Sequence, residues 1–109
     1  MPRGDHLGEF EYLVMLALLR LKNDAYGMAV RREIEDRTGR SVSIGSVYAT
    51  LDRLDTKGLA IPEPRIDEAG RARKSFSLTP RGANAMRERI NEISRMTEGL
   101  SVTEELDAV

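Results

Sequence analysis

Arg53, Arg71, Arg73 and Lys74, together with the small residues Ser43, Gly45, Ser46 and Ala49, are the side chains whose types and spacing can do chemistry. That chemistry is recognition of a polyanion. Guanidinium groups donate in a planar fork to phosphate or to a guanine edge, and hydroxyls and free N–H groups at a helix start donate to phosphate. Bond-breaking chemistry finds little support. The chain has no cysteine, and its single histidine, His6, lacks a second His or a Cys to complete a metal site, so a surface or capping role is the simpler reading. There is no Gly-rich phosphate loop and no carboxylate pair placed by obvious pocket geometry. Neither an enzyme nor a metal or other cofactor is expected.

The small residues and Arg53 belong to one stretch, Ser43 to Gly58. At helical period, Ile44, Val47, Leu51 and Leu54 fall within an arc of roughly 80°, a buried stripe. Ser46, Ala49, Arg53 and Thr56 face the other way, and Tyr48 and Thr50 flank that outer face as further candidate contacts. Tyr48 admits two readings, a ring buried with its hydroxyl on a phosphate, or a core residue throughout. Ser43 is the expected N-cap and Gly58 the left-handed stop. A face this short-chained near its N-terminus lets a helix backbone approach a DNA groove.

Other elements must hold this reader helix in place. Met1 to Asp5 carries no periodicity and reads as a loose start. Gly8 to Lys22 is a helix apolar nearly all round from Leu13 to Leu19, so it needs cover on more than one side. Ala25 to Thr38 reads as a second helix with Tyr26, Val30 and Ile34 inward, ended by Gly39; its Arg31 and Arg32 are solvated or touch phosphate. The short link from Gly39 to Ser43 is helix-turn-helix spacing, and Val42 within it suits a brief strand. After Gly58, Leu59 to Ile61 suggests a strand that Pro62 and Pro64 confine to an edge or end early. A Gly-centred turn and the alternation Ser75, Phe76, Ser77, Leu78 complete a β-hairpin whose tip carries Arg71, Arg73 and Lys74. Thr79 and Pro80 then start a last helix reaching about Gly99. Its Met86, Ile90, Ile93, Met96 and Leu100 form a narrow apolar seam that needs a partner helix. Packing back on the first helix is one way to cover it. A second copy of the chain is the more economical, with Phe10 and Val14 of the first helix joining the seam. Thr103 to Val109 is acidic, weakly patterned and expected to fray.

The expected fold is therefore mainly α with a small β-hairpin: a winged helix-turn-helix over residues 1–79, followed by a dimerisation helix and acidic tail over residues 80–109. At 109 residues the core is modest, and oligomerisation would add to it. A net charge of −1 looks unsuited to nucleic acid until it is divided along the chain. Between Arg37 and Arg81 nine cations face five acids, whereas from Asn84 onward three arginines face six acids. No run approaches transmembrane length and no leader pattern is present, so no membrane partner and a cytoplasmic location are expected.

Several local patterns resemble the PadR-like transcriptional regulators, in particular the short members with a single C-terminal helix. These are Ala25-Tyr26-Gly27, Ser43-Ile44-Gly45-Ser46-Val47-Tyr48, Leu51-Asp52-Arg53-Leu54 with Lys57-Gly58-Leu59, Gly70-Arg71-Ala72-Arg73-Lys74, and Leu78-Thr79-Pro80-Arg81-Gly82. Their order and spacing cover roughly Leu7 to Leu100. Ala49 and Ala72 stand where the family often has proline, and the chain lacks the tryptophans that stack planar ligands in some members. The resemblance implies a homodimer that binds double-stranded DNA at an inverted-repeat operator, usually as a repressor, with a small-molecule effector in many members. Phe10, Tyr12, Met86 and Met96 line an effector pocket on that reading, or simply pack an interface. The rival from another class is a winged-helix module that binds an acidic protein partner without specific DNA binding.

Overall fold

The computed structural model describes residues 7–109, so the expectations for His6 and for Met1 to Asp5 lie outside the described residues. Its elements follow the order α1 (Glu9–Leu21), a 3₁₀ turn (Lys22–Asp24), α2 (Gly27–Thr38), α3 (Ile44–Thr56), β1 (Ala60–Ile66), β2 (Ala72–Leu78), α4 (Pro80–Thr97) and α5 (Val102–Asp107). Helices α1, α2 and α3 close around Val14, Met15, Leu18, Val30, Ile34, Val47, Leu51 and Leu54, with Leu59 and Phe76 sealing the side toward the hairpin.

Each boundary has a local cause. Ser43 Oγ accepts the Ser46 N–H at 3.1 Å and caps α3. Gly39 ends α2 with φ +73, and Gly58 adopts φ +76 after α3, the left-handed geometry that glycine enters without a Cβ clash. Helix α2 starts two residues later than its pattern suggests. Ala25 turns the chain and Tyr26 runs extended beside β2 instead: the Phe76 N–H donates to the Ala25 carbonyl at 3.1 Å, and Tyr26 bridges Ser75. This bridge, and not Val42, adds the third strand contact. Val42 is buried with both backbone groups taken by α2, its N–H by Glu35 Oε2 at 2.9 Å and its carbonyl by Arg31 Nε at 2.8 Å. Arg31 Nε is thereby committed to a structural bond.

The hairpin runs through both prolines. Pro62 faces Phe76 and Pro64 faces Lys74. Because the Phe76 N–H points away from β1, the Pro62–Phe76 pair and, two residues on, the Pro64–Lys74 pair are the non-hydrogen-bonded kind. The missing proline donors therefore point outward, where a two-stranded edge loses no ladder bond.

Thr79 Oγ1 accepts the Gly82 N–H at 3.0 Å and donates to the Gly58 carbonyl at 2.6 Å, which fixes α4 against the end of α3. A β-carbon on Gly82 would overlap the Leu59 carbonyl oxygen, so the approach is possible only for glycine. Ala85 and Met86 enter the core, and beyond them α4 leaves the domain, with Ile90, Ile93, Met96 and Leu100 exposed. Two expected interface residues are thus placed otherwise. Val14 and Met86 are 0% and 4% exposed inside their own domain and have no surface to give a partner. Met86 in the core and Met96 at 74% exposure also do not share the lining of one effector pocket. Tyr12 lies beneath Arg89, whose guanidinium is 5.0 Å from the ring centroid and donates to the Leu7 carbonyl at 2.6 Å, a clasp between α1 and α4. The acidic tail, expected to fray, forms α5. Val102 and Leu106 share one face, and Glu104 and Glu105 sit in its first turn where the helix dipole favours them.

Candidate nucleic-acid interface

The outer face of α3 is open. Ser43, Gly45, Ser46, Tyr48, Ala49 and Arg53 are all exposed, and nothing lies within 4 Å of where a Gly45 side chain would begin. Ser43 and Ser46 share a hydroxyl contact of 2.7 Å at the start of the helix, beside the N–H groups that have no intrahelical partner. Thr50 is a correction: at 1% exposure it faces inward, because its position falls next to the Val47–Leu51–Leu54 stripe. Its Oγ1 accepts from an Arg53 terminal nitrogen at 3.1 Å, so it supports a candidate contact from beneath instead of making one.

Tyr48 is 44% exposed, which removes the reading of it as a core residue throughout. Its ring and hydroxyl lie over Gly27, where a β-carbon would come within 2.5 Å of the ring. The neighbouring Tyr26 ring carries the Arg73 guanidinium, 4.6 Å from its centroid. Adjacent residues at the start of α2 therefore hold one side chain of the reader helix and one of the wing. Here lies the physical content of the Ala25-Tyr26-Gly27 pattern: a buried Ala, a platform and a gap.

The wing is less cationic than its sequence suggests. The Asp67 carboxylate accepts the backbone N–H groups of Ala69 and Arg71 at 3.0 and 2.9 Å, Arg71 Nε at 3.1 Å and an Arg73 terminal nitrogen at 3.3 Å. The Arg71 N–H, foremost, and the Arg71 charge hold its carboxyl below the ordinary carboxylate range. Asp67 folds the turn and neutralises part of the tip. Arg71 remains 69% exposed at its side chain, Arg73 28%, and Lys74 lies 5.6 Å over the Phe76 ring with its ammonium outward of the core.

A second carboxylate acts on α3. Glu11, on α1, is 7% exposed and lies 2.9 Å from Lys57 Nζ and 3.7 Å from Arg53 Nε. Neither Glu11 nor Asp67 stands out in the sequence as a site residue. A signal exists for each: Asp67 lies four residues before Arg71 and three before a turn glycine, and Glu11 follows Gly8 by three, the spacing of a capping carboxylate.

The sequence pattern of the transcriptional regulator PadR-like family matches residues 15–88. The chain belongs to this family. Among PadR-like and related proteins, Transcriptional regulator Rv3488 of Mycobacterium tuberculosis (strain ATCC 25618 / H37Rv) is 36% identical over 80 residues, covering 71% of this chain and 73% of that protein. A PadR-like transcription factor from Bacteroides fragilis has a similar solved structure, with TM-score 0.68 and 27% identity over 82% of this chain and 84% of its own. The RosR structure from H. salinarum shares the fold at TM-score 0.72 and 22% identity, covering 98% of this chain and 100% of its own. The winged-helix arrangement of the PadR-like chain, mostly helical with one antiparallel hairpin, is thus that of its relatives, and the family is one of transcriptional regulators, not enzymes. Among the described residues no helix is long and apolar enough to cross a membrane.

Proposed function

We propose that this PadR-like regulator is a cytoplasmic homodimer that represses transcription by binding an inverted-repeat operator in double-stranded DNA. One observation supports the reading above others: α3 is capped, short-chained and open on its outer face, with Arg53 at the surface, and a cationic hairpin follows it. In that arrangement the outer face of α3 meets base edges in the major groove and the wing follows the phosphate backbone. Ser43, Gly45 and Ser46 donate to phosphate at the helix start, Arg53 reaches a guanine or a phosphate, and Arg71, Arg73 and Lys74 supply charge to the wing.

Symmetry comes from the last helix. Ile90, Ile93, Met96 and Leu100 are 48%, 52%, 74% and 52% exposed, an apolar face with nothing over it in one chain. Pairing two such faces, with the half-buried Phe10 alongside, removes that surface from water and repeats α3 about a two-fold axis. An open groove of about 410 Å³ between α1 and α2, lined by Leu13, Leu16, Leu19 and Ile34 with Arg20, Glu33 and Arg37, is the candidate place for an apolar effector.

Salt dependence tests the reading. A dimer that neutralises six to eight phosphates gives a log–log slope of about −5 to −7. A slope near zero would contradict it.

A further inference from the structure

Glu11 is a buried carboxylate that the fold has to accommodate. A carboxylate taken out of water persists in its charged form only when its oxygens are occupied. Glu11 Oε1 accepts the Gly8 N–H at 3.0 Å and Lys57 Nζ at 3.2 Å, and Oε2 accepts Lys57 Nζ at 2.9 Å and lies 3.7 Å from Arg53 Nε. Burial pushes this carboxyl up, but the Gly8 N–H, Lys57 and Arg53 together outweigh it and hold it below the ordinary range. Arg53 and its near neighbour Lys57 are the cations that α3 and its cap carry, and both face one acid on another helix.

We infer that Glu11 is a positioning residue for DNA binding: it withholds Lys57 from phosphate and orients Arg53 by its Nε edge, so that α3 discriminates sequence at the expense of indiscriminate affinity. This rests on the DNA-binding reading above. An ammonium bonded to both oxygens of a buried carboxylate cannot move to a phosphate without stripping Oε2 of its 2.9 Å hydrogen bond and leaving Oε1 with the Gly8 N–H, a state that is disfavoured. Lys57 therefore releases no counterions. Arg53 is held at two points, Nε facing Glu11 and one terminal nitrogen on Thr50, while its side chain stays 57% exposed. A planar fork fixed along one edge presents the rest of its donors in a set direction, which is what base readout requires.

Glu11→Gln is the informative variant, since the amide oxygen still accepts from Gly8 and only the charge is removed. Binding is followed by fluorescence anisotropy across a salt series, with a random-sequence duplex and with a duplex recovered by selection. Glu11→Gln should steepen the slope on random duplex by about two, the increment for one further phosphate per protomer of the dimer, and lower the preference for the selected duplex about tenfold. Adding Lys57→Gln should return the slope to its original value while the preference stays low. A folded Glu11→Gln protein with unchanged slope and preference overturns the assignment, as does a double variant that keeps the steeper slope. Should Glu11→Gln fail to fold, the ammonium ¹⁵N resonance of Lys57 in the unaltered protein decides: it should stay in place when random duplex is added, and a phosphate-induced shift overturns the assignment. Absence of any duplex binding by the unaltered chain removes the functional reading itself, whereas duplex binding with an unaltered slope removes only the role of Glu11.

Discussion

Single residues decide what the DNA-facing surface can offer. Arg53 is exposed yet oriented, and Arg53→Ala should weaken binding to a selected duplex by about 1 to 3 kcal/mol per half-site, the range for loss of one base contact, with a smaller effect on random duplex. Competitive anisotropy measures both. Gly82 marks the opposite kind of constraint. Its α-carbon lies against the Leu59 carbonyl, so Gly82→Ala must push α4 off the end of α3, and urea unfolding should show a loss of about 3 kcal/mol. Acid acts on residues too. The folded-state pKa values of Glu11 and Asp67 both lie below their ordinary values of 4.5 and 3.8, so their contribution is complete above those values. It is lost as pH falls through the lower folded values, because the unfolded chain takes up protons first. Thermal unfolding should be nearly flat from neutral pH to about 5 and decline below about 4. A midpoint that rises on acidification would show that these carboxylates are not paired in solution.

Among the elements, the wing is where composition misleads. Counting Arg71, Arg73 and Lys74 gives a cationic finger, but Asp67 binds two of the three and Tyr26 stacks on one. Arg71→Ala with Arg73→Ala should therefore weaken binding to all duplexes alike and reduce the salt slope by about two to four over the two wings of the proposed dimer. An unchanged affinity would take the wing out of the mechanism. Caps and stops were legible because they are local: Ser43, Gly58, Gly70 and Thr79 act within three or four residues of themselves. Partners distant in sequence were not legible. Nothing near Glu11 announces Lys57, nothing near Tyr26 announces Arg73, and Val42 looks like a strand residue until α2 is seen to take both of its backbone groups. Thr50 shows the limit of the helical wheel. A residue at the border of a stripe goes inward or outward according to what packs there, and here it is buried beneath Arg53.

At the scale of the whole molecule, shape itself argues for a partner. The radius of gyration is 16.0 Å and the extents are 54 × 35 × 21 Å. A compact chain of this length would have a radius of about 13 Å. The excess is α4 leaving the domain with its apolar face uncovered. Ile90→Asp with Ile93→Asp should yield a folded monomer by sedimentation velocity, whereas a variant that stays dimeric would place the interface elsewhere. The division of charge fits the proposed dimer, which would turn the cationic middle toward DNA and carry the acidic end away from it. Selection of bound sequences from random duplex tests this account most directly, since it reads specificity and symmetry together. An inverted repeat with equivalent half-sites is the predicted result. Recovery of an unpaired half-site, or of no enriched sequence at all, would contradict it.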